Sequence, residues 1–462
     1  MNNSYKELRR NTLTIAIANL GSKIIAFLLA PLYSYYMTTS QYGTMDLINS
    51  SIGLILPFVC VDIFEATFRY SNDERYDKRK VLSTSIVIGV PGAMACFLFS
   101  FIAYNLLGVF SLEYWIMICA SVMLGAVDYI LAQFLRGTNK MIKFAMAGVT
   151  SSVALLIANY IFLVRLNTGL LGWIISYFIS KIVETVYLLI MSNCRDYFRL
   201  KYYDKKYAKE FLKFCLPLMP TATMWWIMNL SDRYMLAFFL GASATGIYAV
   251  ANKIPGLLSV FENIFYQAWQ TTAIENLKNK NRDVMYSKVF NNYFSLMVIG
   301  VLGVLVFGKP MIIFLFEKDF SEAWIYIPIL IICVVIHALN GNLGSLYSVF
   351  KNTRGALYST IIGALTNVVL NFLFIPIIGI MGAALSTVIG YIVTLIYRWY
   401  DTKRFVSIRL EGKNSIELLI LLVIQFALYY VQGVFSYGVR CIILIIALIR
   451  YRGLLFSIVR RK

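Results

Sequence analysis

The sequence predicts an all-α polytopic membrane protein with about fourteen transmembrane helices, arranged as two pseudo-symmetric six-helix lobes followed by two further helices. Three observations predict it. Hydrophobic residues make up 60% of the 462-residue chain and charged residues only 14%, against about 25% charged in a typical soluble domain. Fourteen apolar stretches have the roughly 20 residues that a hydrocarbon core of about 30 Å requires. The basic residues also alternate between connections as a positive-inside topology demands.

The expected spans are 12–37, 44–68, 81–107, 114–135, 144–164, 170–192, 212–240, 246–270, 289–316, 323–349, 356–377, 382–400, 416–434 and 438–456. The first is too long for a signal-peptide core and no small-residue cleavage site follows it, so it is expected to remain as a span. The seventh is long, and its start before Pro217 is expected to lie along the cytoplasmic surface. With the N-terminus inside, the two tails and the even-numbered connections hold 34 of the 42 Lys and Arg residues. Lys6, Arg9 and Arg10 precede the first span, and Arg75, Lys78, Arg79 and Lys80 follow the second. Arg195, Arg199, Lys201, Lys205, Lys206, Lys209 and Lys213 follow the sixth, and Arg460, Arg461 and Lys462 close the tail. Only Arg165, Lys309, Lys318 and Arg440 fall outside, while Lys23, Lys181, Arg233 and Lys253 lie within spans. The net charge of +19 therefore sets topology and attracts anionic lipid headgroups; it does not call for nucleic acid. The expected location is the cell membrane, with both termini cytoplasmic.

An internal repeat divides the chain. Ser40, Gly43, Asn49, Gly53 and Leu54 recur as Ser243, Gly246, Asn252, Gly256 and Leu257 at a constant offset of 203. Gly169, Gly172 and Ser176 recur as Gly379, Gly382 and Ser386 at an offset of 210. Six spans per copy start both copies on the same side, a parallel repeat of the kind whose transporters hold substrate between the repeats. The expected division is a first lobe over 1–192, a cytoplasmic linker over 193–209, a second lobe over 210–400, and two extra spans with a basic tail over 401–462.

The stretch from Glu210 to Trp269 is the most informative. It carries Asp232, Arg233, Lys253 and Glu262 within apolar spans, where insertion scales price a charge at roughly 2.5–3.5 kcal/mol. Such groups must face protein or water. Pro217, Pro220 and Pro255 interrupt the backbone ladder, which membrane helices tolerate beside neighbours or a cavity. Tyr248, Asn252, Pro255, Ser259, Glu262 and Tyr266 follow one another at steps of three and four, and so share one helix face. Lys23, Arg233 and Lys253 have no opposite charge at helical spacing, which marks a functional site in a membrane. Glu65 with Arg69, and Lys181 with Glu184, are spaced as structural ion pairs.

The candidate substrate-binding residues are therefore Lys23, Arg233, Lys253, Asn49, Asn252 and Tyr248, with interhelix pairing as the competing reading. Candidate ion carriers are Asp62, Asp128 and Glu262. His337, the sole histidine, is read as a buried hydrogen-bonding group rather than a proton relay. The seven cysteines include no C-x-x-C pair and six lie in apolar spans, so they are read as core rather than as disulfides or metal ligands. There is no Walker A loop, H-E-x-x-H or nucleophile elbow. No enzyme chemistry and no cofactor is expected, and energy must come from ion gradients, the membrane potential or substrate mass action.

Pro217, Pro220, Ser231, Asp232, Arg233, Gly241, Gly246, Tyr248, Lys253 and Ile254 stand in a register that resembles the polysaccharide-flippase branch of the MOP (MATE-like) superfamily. The resemblance implies a Wzx-type flippase that moves an undecaprenyl-diphosphate-linked oligosaccharide from the inner to the outer leaflet for O-antigen, capsule or exopolysaccharide synthesis. It implies alternating access, with H⁺ or Na⁺ as the candidate coupling ion, and a monomer with a polysaccharide polymerase as candidate partner. A diphosphate headgroup calls for cations, which Lys23, Arg233 and Lys253 supply. A cation-coupled multidrug exporter of the MATE branch is the alternative; three intramembrane cations and fourteen spans count against it. A membrane polymerase or ligase would carry a long outer loop, and every outer connection here is about a dozen residues or fewer.

Overall fold

The computed structural model describes residues 21, 24–107, 112–216, 219–277, 279, 281–350, 352–431 and 433–454. Lys6, Arg9, Arg10, Lys23, Pro217 and the terminal Arg460, Arg461 and Lys462 lie outside them. Among the described residues the chain is helical, with no strand. Each of the fourteen expected spans coincides, over its described part, with a helix or a broken helix pair. Among the described residues, seven helices are long and apolar enough to cross a membrane, or up to eight with one bent pair counted as a span. Large apolar side chains such as Phe314, Ile377 and Phe261 are exposed, as lipid-facing surfaces require.

The chain forms two compact units, Met1–Trp226 and Ile227–Lys462. The first begins with α1 (Ile24–Tyr36) and α2 (Thr39–Val59). Thr38 opens α2 with a capping box: its hydroxyl accepts from the Gln41 N–H while the Gln41 side chain accepts from the Thr38 N–H. The second span then breaks. Pro57 lies inside α2, Val61 and Asp62 take φ of 53° and 49°, and α3 (Ile63–Asn72) leaves at 62° to α2. A β-branched residue in the left-handed region is strained, and the break is held by hydrogen bonds from the Cys60 thiol to the Gly89 carbonyl and from the Cys215 thiol to the Asp62 carbonyl. There follow α4 (Lys78–Leu107), α5 (Leu112–Gly137), α6 (Met141–Asn159) with a π-helical turn over Tyr160–Arg165, and α7 (Gly169–Met191).

The segment over 193–209, expected as a cytoplasmic linker, is packed along its length. With α8 (Cys194–Tyr197) and the start of α9 (Lys205–Cys215), it packs within the first unit. The Ser83 hydroxyl donates to the Tyr197 carbonyl, Lys80 pairs with Asp204 at 2.9 Å, and Tyr197 packs edge-on against Phe134. α9 buries Ala208, Phe211 and Cys215 on one face and exposes Lys205, Lys206, Lys209 and Lys213, the pattern of an interfacial helix. Phe211 stacks on Tyr70 at 4.6 Å. Arg69 lies over the Phe214 ring at 4.7 Å, in place of the expected pairing with Glu65.

α10 (Met219–Leu240) runs from the first unit into the second. Gly241, at φ 85°, turns the chain into α11 (Ala242–Ala251), and Asn252 joins it to α12 (Lys253–Glu275). α13 (Arg282–Leu315), a 3₁₀ helix over Lys318–Tyr326, α14 (Ile327–Val349), α15 (Thr353–Ile378) and α16 (Ile380–Thr402) complete the second lobe. α17 (Gly412–Tyr429) and α18 (Val434–Arg450) dock on α13 through a core of Val298, Ile299, Leu302, Leu418, Ile443, Ala447 and Tyr451.

The repeat is visible as local geometry. Gly169 and Gly379 both have positive φ, 57° and 63°, where a side chain would be strained. Two turns later, Ser176 and Ser386 each donate to the carbonyl four residues back, at Gly172 and Gly382. A Cβ at Gly172 would lie 3.1 Å from the Phe162 carbonyl oxygen, and one at Gly382 would lie 2.5 Å from that of Phe374. Each glycine admits the backbone of the preceding helix.

Two outcomes follow for stability. Gly382→Ala overpacks against backbone, which costs about 1–3 kcal/mol, so the detergent-solubilised variant melts lower than wild type. Gly303→Ala, where a Cβ meets nothing within 4 Å, melts no lower. Asp204 caps α9 by accepting from the Lys206 and Tyr207 N–H groups, and the Lys80 ammonium beside it holds its carboxyl below the usual range. A depressed carboxylate stabilises above its unfolded pKa and loses that contribution as pH falls. Asp204→Ala therefore costs about 1 kcal/mol at neutral pH, and thermal scans of the two proteins converge below about pH 4.

Candidate functional site

Five helices of the second unit meet around a cavity of about 290 Å³. α10 supplies Asp232 and Arg233, α14 supplies Cys333 and His337, and α16 supplies Thr387 and Tyr391. The rest comes from α11 and α12, whose Tyr248, Asn252, Pro255, Ser259 and Glu262 all line it. These are five of the six residues in the sequence stripe, so the three-and-four spacing reports a real wet face.

The charges in the cavity are held by specific bonds. Asp232 is 4% exposed, and its carboxylate accepts from the Tyr248 hydroxyl across helices and from the Arg233 N–H at 2.9 Å. A buried carboxylate is costly unless hydrogen-bonded, so this contact fixes α11 against α10. Next to it, Ser231 donates to the Asn367 side-chain oxygen at 3.2 Å, and the Asn367 amide donates to the Thr387 hydroxyl at 3.1 Å. The Asn252 amide donates to the Tyr248 carbonyl at 2.8 Å, bridging the junction between α11 and α12. Glu262, 7% exposed, lies 2.5 Å from His337 Nδ1, and Tyr391 packs edge-on against the imidazole at 5.2 Å.

The sequence candidates are thus divided. Arg233, Tyr248, Asn252 and Glu262 come together in this cavity. Lys253 is half-buried at the start of α12, one residue beyond Asn252, and is not among the lining residues. Asn49, the repeat mate of Asn252, is exposed on α2 of the first unit, and Asp62 stands in the α2–α3 break. Asp128 belongs to a second, smaller polar site. It is buried, accepts from the Thr185 hydroxyl at 2.6 Å, and lies 3.8 Å from Lys181, which pairs with Glu184 at 2.8 Å. These three charged residues, with Gln133 and Tyr129, line a cavity of about 260 Å³.

Two groups carried no sequence signal strong enough to select them. His337 was separated from Glu262 by 75 positions, and only the fold joins them. Arg398 was counted among the cytoplasmic charges at the end of a span. In the structure it is 2% exposed and donates to the Asn340 carbonyl at 2.7 Å and to the Ser359 and Thr360 hydroxyls at 3.0 and 3.1 Å. Its i−4 neighbour Thr394 and i+4 neighbour Thr402 are also buried, the one local hint that this face turns inward.

A family model described as "Polysaccharide biosynthesis protein" matches residues 8–270, more than half of the chain. The chain belongs to this family. A second model, MatE, matches residues 217–373. A probable low-salt glycan biosynthesis flippase of Haloferax volcanii is 24% identical over 216 residues, which are 44% of this chain and 45% of the relative. The chain thus spans about half the length of that curated relative. Among solved structures, the lipid II flippase MurJ in an inward closed conformation superposes with a TM-score of 0.73 at 18% identity, covering 96% of this chain and 100% of MurJ. A MATE multidrug resistance transporter of the MOP superfamily, facing inward, superposes with a TM-score of 0.72 at 14% identity, covering 84% and 98%. The fold is MATE-like.

Arg398→Lys tests the buried donor set. One ammonium cannot span three acceptors held by a planar fork, and a buried acceptor left unmade costs about 1–3 kcal/mol. The variant is expected to lose that stability in thermal unfolding while keeping the helix content of wild type.

Proposed function

We propose that this polysaccharide biosynthesis family member is a flippase that moves an undecaprenyl-diphosphate-linked oligosaccharide from the inner to the outer leaflet of the cell membrane by alternating access. The observation that carries the reading is the second-unit cavity, in which Arg233, Tyr248 and Asn252 line one wet surface inside a membrane-spanning lobe. A guanidinium suits a diphosphate headgroup, and the amide and hydroxyl suit sugar. The Haloferax relative is described as a glycan biosynthesis flippase and MurJ as a lipid II flippase, which supports the same class of cargo. Lys23, Lys253 and Asn49 complete the proposed headgroup and sugar contacts, with Asp62, Asp128 and Glu262 as carriers of a coupling H⁺ or Na⁺.

The membrane potential adds a drive. A diphosphate diester bears about two negative charges, and each gains about 2.3 kcal/mol per 100 mV on moving outward from an inside-negative compartment. The basic residues of the even-numbered connections, including the exposed lysines of α9, give the proposed orientation, with both termini cytoplasmic. A monomer acting beside a polysaccharide polymerase follows from the same reading, in lobes divided as the sequence repeat suggests.

Asp232 and Glu262 in the same cavity favour one other reading, a cation-coupled multidrug exporter. Efflux of a cationic dye from cells expressing the protein, with no effect on surface polymer, would favour it.

The deciding experiment is complementation of a flippase-deficient strain. Arg233→Ala is expected to cut surface polymer at least about tenfold at normal protein levels, consistent with loss of a charge-assisted contact worth about 1.5–3 kcal/mol, and Arg233→Lys to recover part of it. Undiminished polymer in Arg233→Ala would remove the residue from the cargo path.

A further inference from the structure

His337 is the single histidine of the chain, and it meets Glu262 in the same cavity as Arg233. Its Nδ1 lies 2.5 Å from Glu262 Oε1, a direct contact in which a single proton can sit between a ring nitrogen and a carboxylate oxygen. Other titratable groups stand around the pair. Tyr391 of α16 stands edge-on to the ring, and Cys333 lies one turn earlier on α14. Tyr266 of α12 and Tyr293 of α13 flank Glu262. Asp232 and Arg233 of α10 and Tyr248 of α11 line the same space, with Asp232 already engaged by Tyr248 and by the Arg233 N–H.

This arrangement suits a proton and not a sodium ion. Hard cations take oxygen ligands on several sides, whereas here an imidazole nitrogen occupies one carboxylate oxygen, and a protonated imidazole repels a metal. Histidine also changes charge in the physiological range in its ordinary state. With its shared proton the Glu262–His337 pair is neutral. When that proton leaves to water, one carboxylate charge stands in the cavity that Arg233 lines.

We propose that Glu262 and His337 form a proton-binding site whose occupancy sets the cavity's affinity for an anionic diphosphate headgroup. The deprotonated pair adds a negative charge to the cavity that Arg233 lines and so repels an anion there, and the protonated pair adds none. Linkage makes the effect reciprocal, so a bound diphosphate holds the proton more firmly. The proton site stands on the contact between the two side chains; its coupling to a headgroup rests on the flippase reading above.

A lone histidine makes the test unambiguous. Isotope-labelled histidine in the full-length protein in nanodiscs gives one imidazole signal beyond doubt of assignment. Its pH titration is expected to be displaced in Glu262→Gln, and a titration superimposable on wild type overturns the proton site. Farnesyl diphosphate serves as the headgroup probe. Wild type is expected to bind it about fivefold or more tighter at pH 5.5 than at pH 8, and His337→Gln to lose that dependence while still binding. Equal binding by wild type at the two pH values overturns the coupling, as does a pH effect that persists in His337→Gln or vanishes when sodium is replaced by choline. Absence of farnesyl diphosphate binding at every pH refutes the headgroup reading and the coupling together, while the imidazole titration still decides the proton site. A Glu262→Gln protein that fails to fold leaves the decision to His337→Gln.

Discussion

The structure depends on one constraint, that a charge inside an apolar layer must be met by a partner brought to it from another helix. Water is not there to do it, and each unmet group costs several kcal/mol. Asp232 is met by the Tyr248 hydroxyl, Asp128 by Thr185 and Lys181, Glu262 by His337, and Arg398 by a carbonyl and two hydroxyls. Each of these contacts joins different helices, so each fixes the rotation of one helix about its axis relative to another. Apolar packing alone does this weakly in a membrane, where lipid tails compete on equal terms with leucine. The polar contacts that could have been spent only on substrate therefore also hold the site in shape.

The fold was legible because its signals are one-dimensional. Span length, the alternation of basic connections and the recurrence of Gly169, Gly172 and Ser176 as Gly379, Gly382 and Ser386 need no tertiary knowledge. The face of α12 was legible for the same reason, since helical spacing turns sequence steps into direction. What was not legible depends on distance across the bundle. No local pattern links Glu262 to His337, or reveals that Arg398 turns into the helices instead of toward the membrane surface. The break at Val61 and Asp62 was hidden as well: Pro57 is a hint, but prolines sit inside unbroken α13 and α15 too. How the segment over 193–209 packs was hidden for the same reason: Tyr197 meets Phe134 of α5, and Tyr207 meets Tyr76 between α3 and α4.

The two polar cavities differ in kind. That of the first unit is lined by two carboxylates bridged by one lysine, a self-contained set with little charge to spare. That of the second has its acids, Asp232 and Glu262, engaged by a phenol and an imidazole rather than by a lysine, and Arg233 also lines it.

The attachment of α17 and α18 has a further consequence. The pair touches α13 through a small apolar core, with Gln425 and Arg440 donating to the Leu302 and Leu305 carbonyls and Tyr429 and Tyr430 donating to the Trp324 and Ile325 carbonyls. Nearly all of its specific bonds end on backbone, which α13 and the 3₁₀ turn present whatever their side chains are. Those bonds tolerate substitution of the residues whose carbonyls they meet, so it is the apolar core of Val298, Ile299 and Leu302 that ties the last two helices to the side chains of α13.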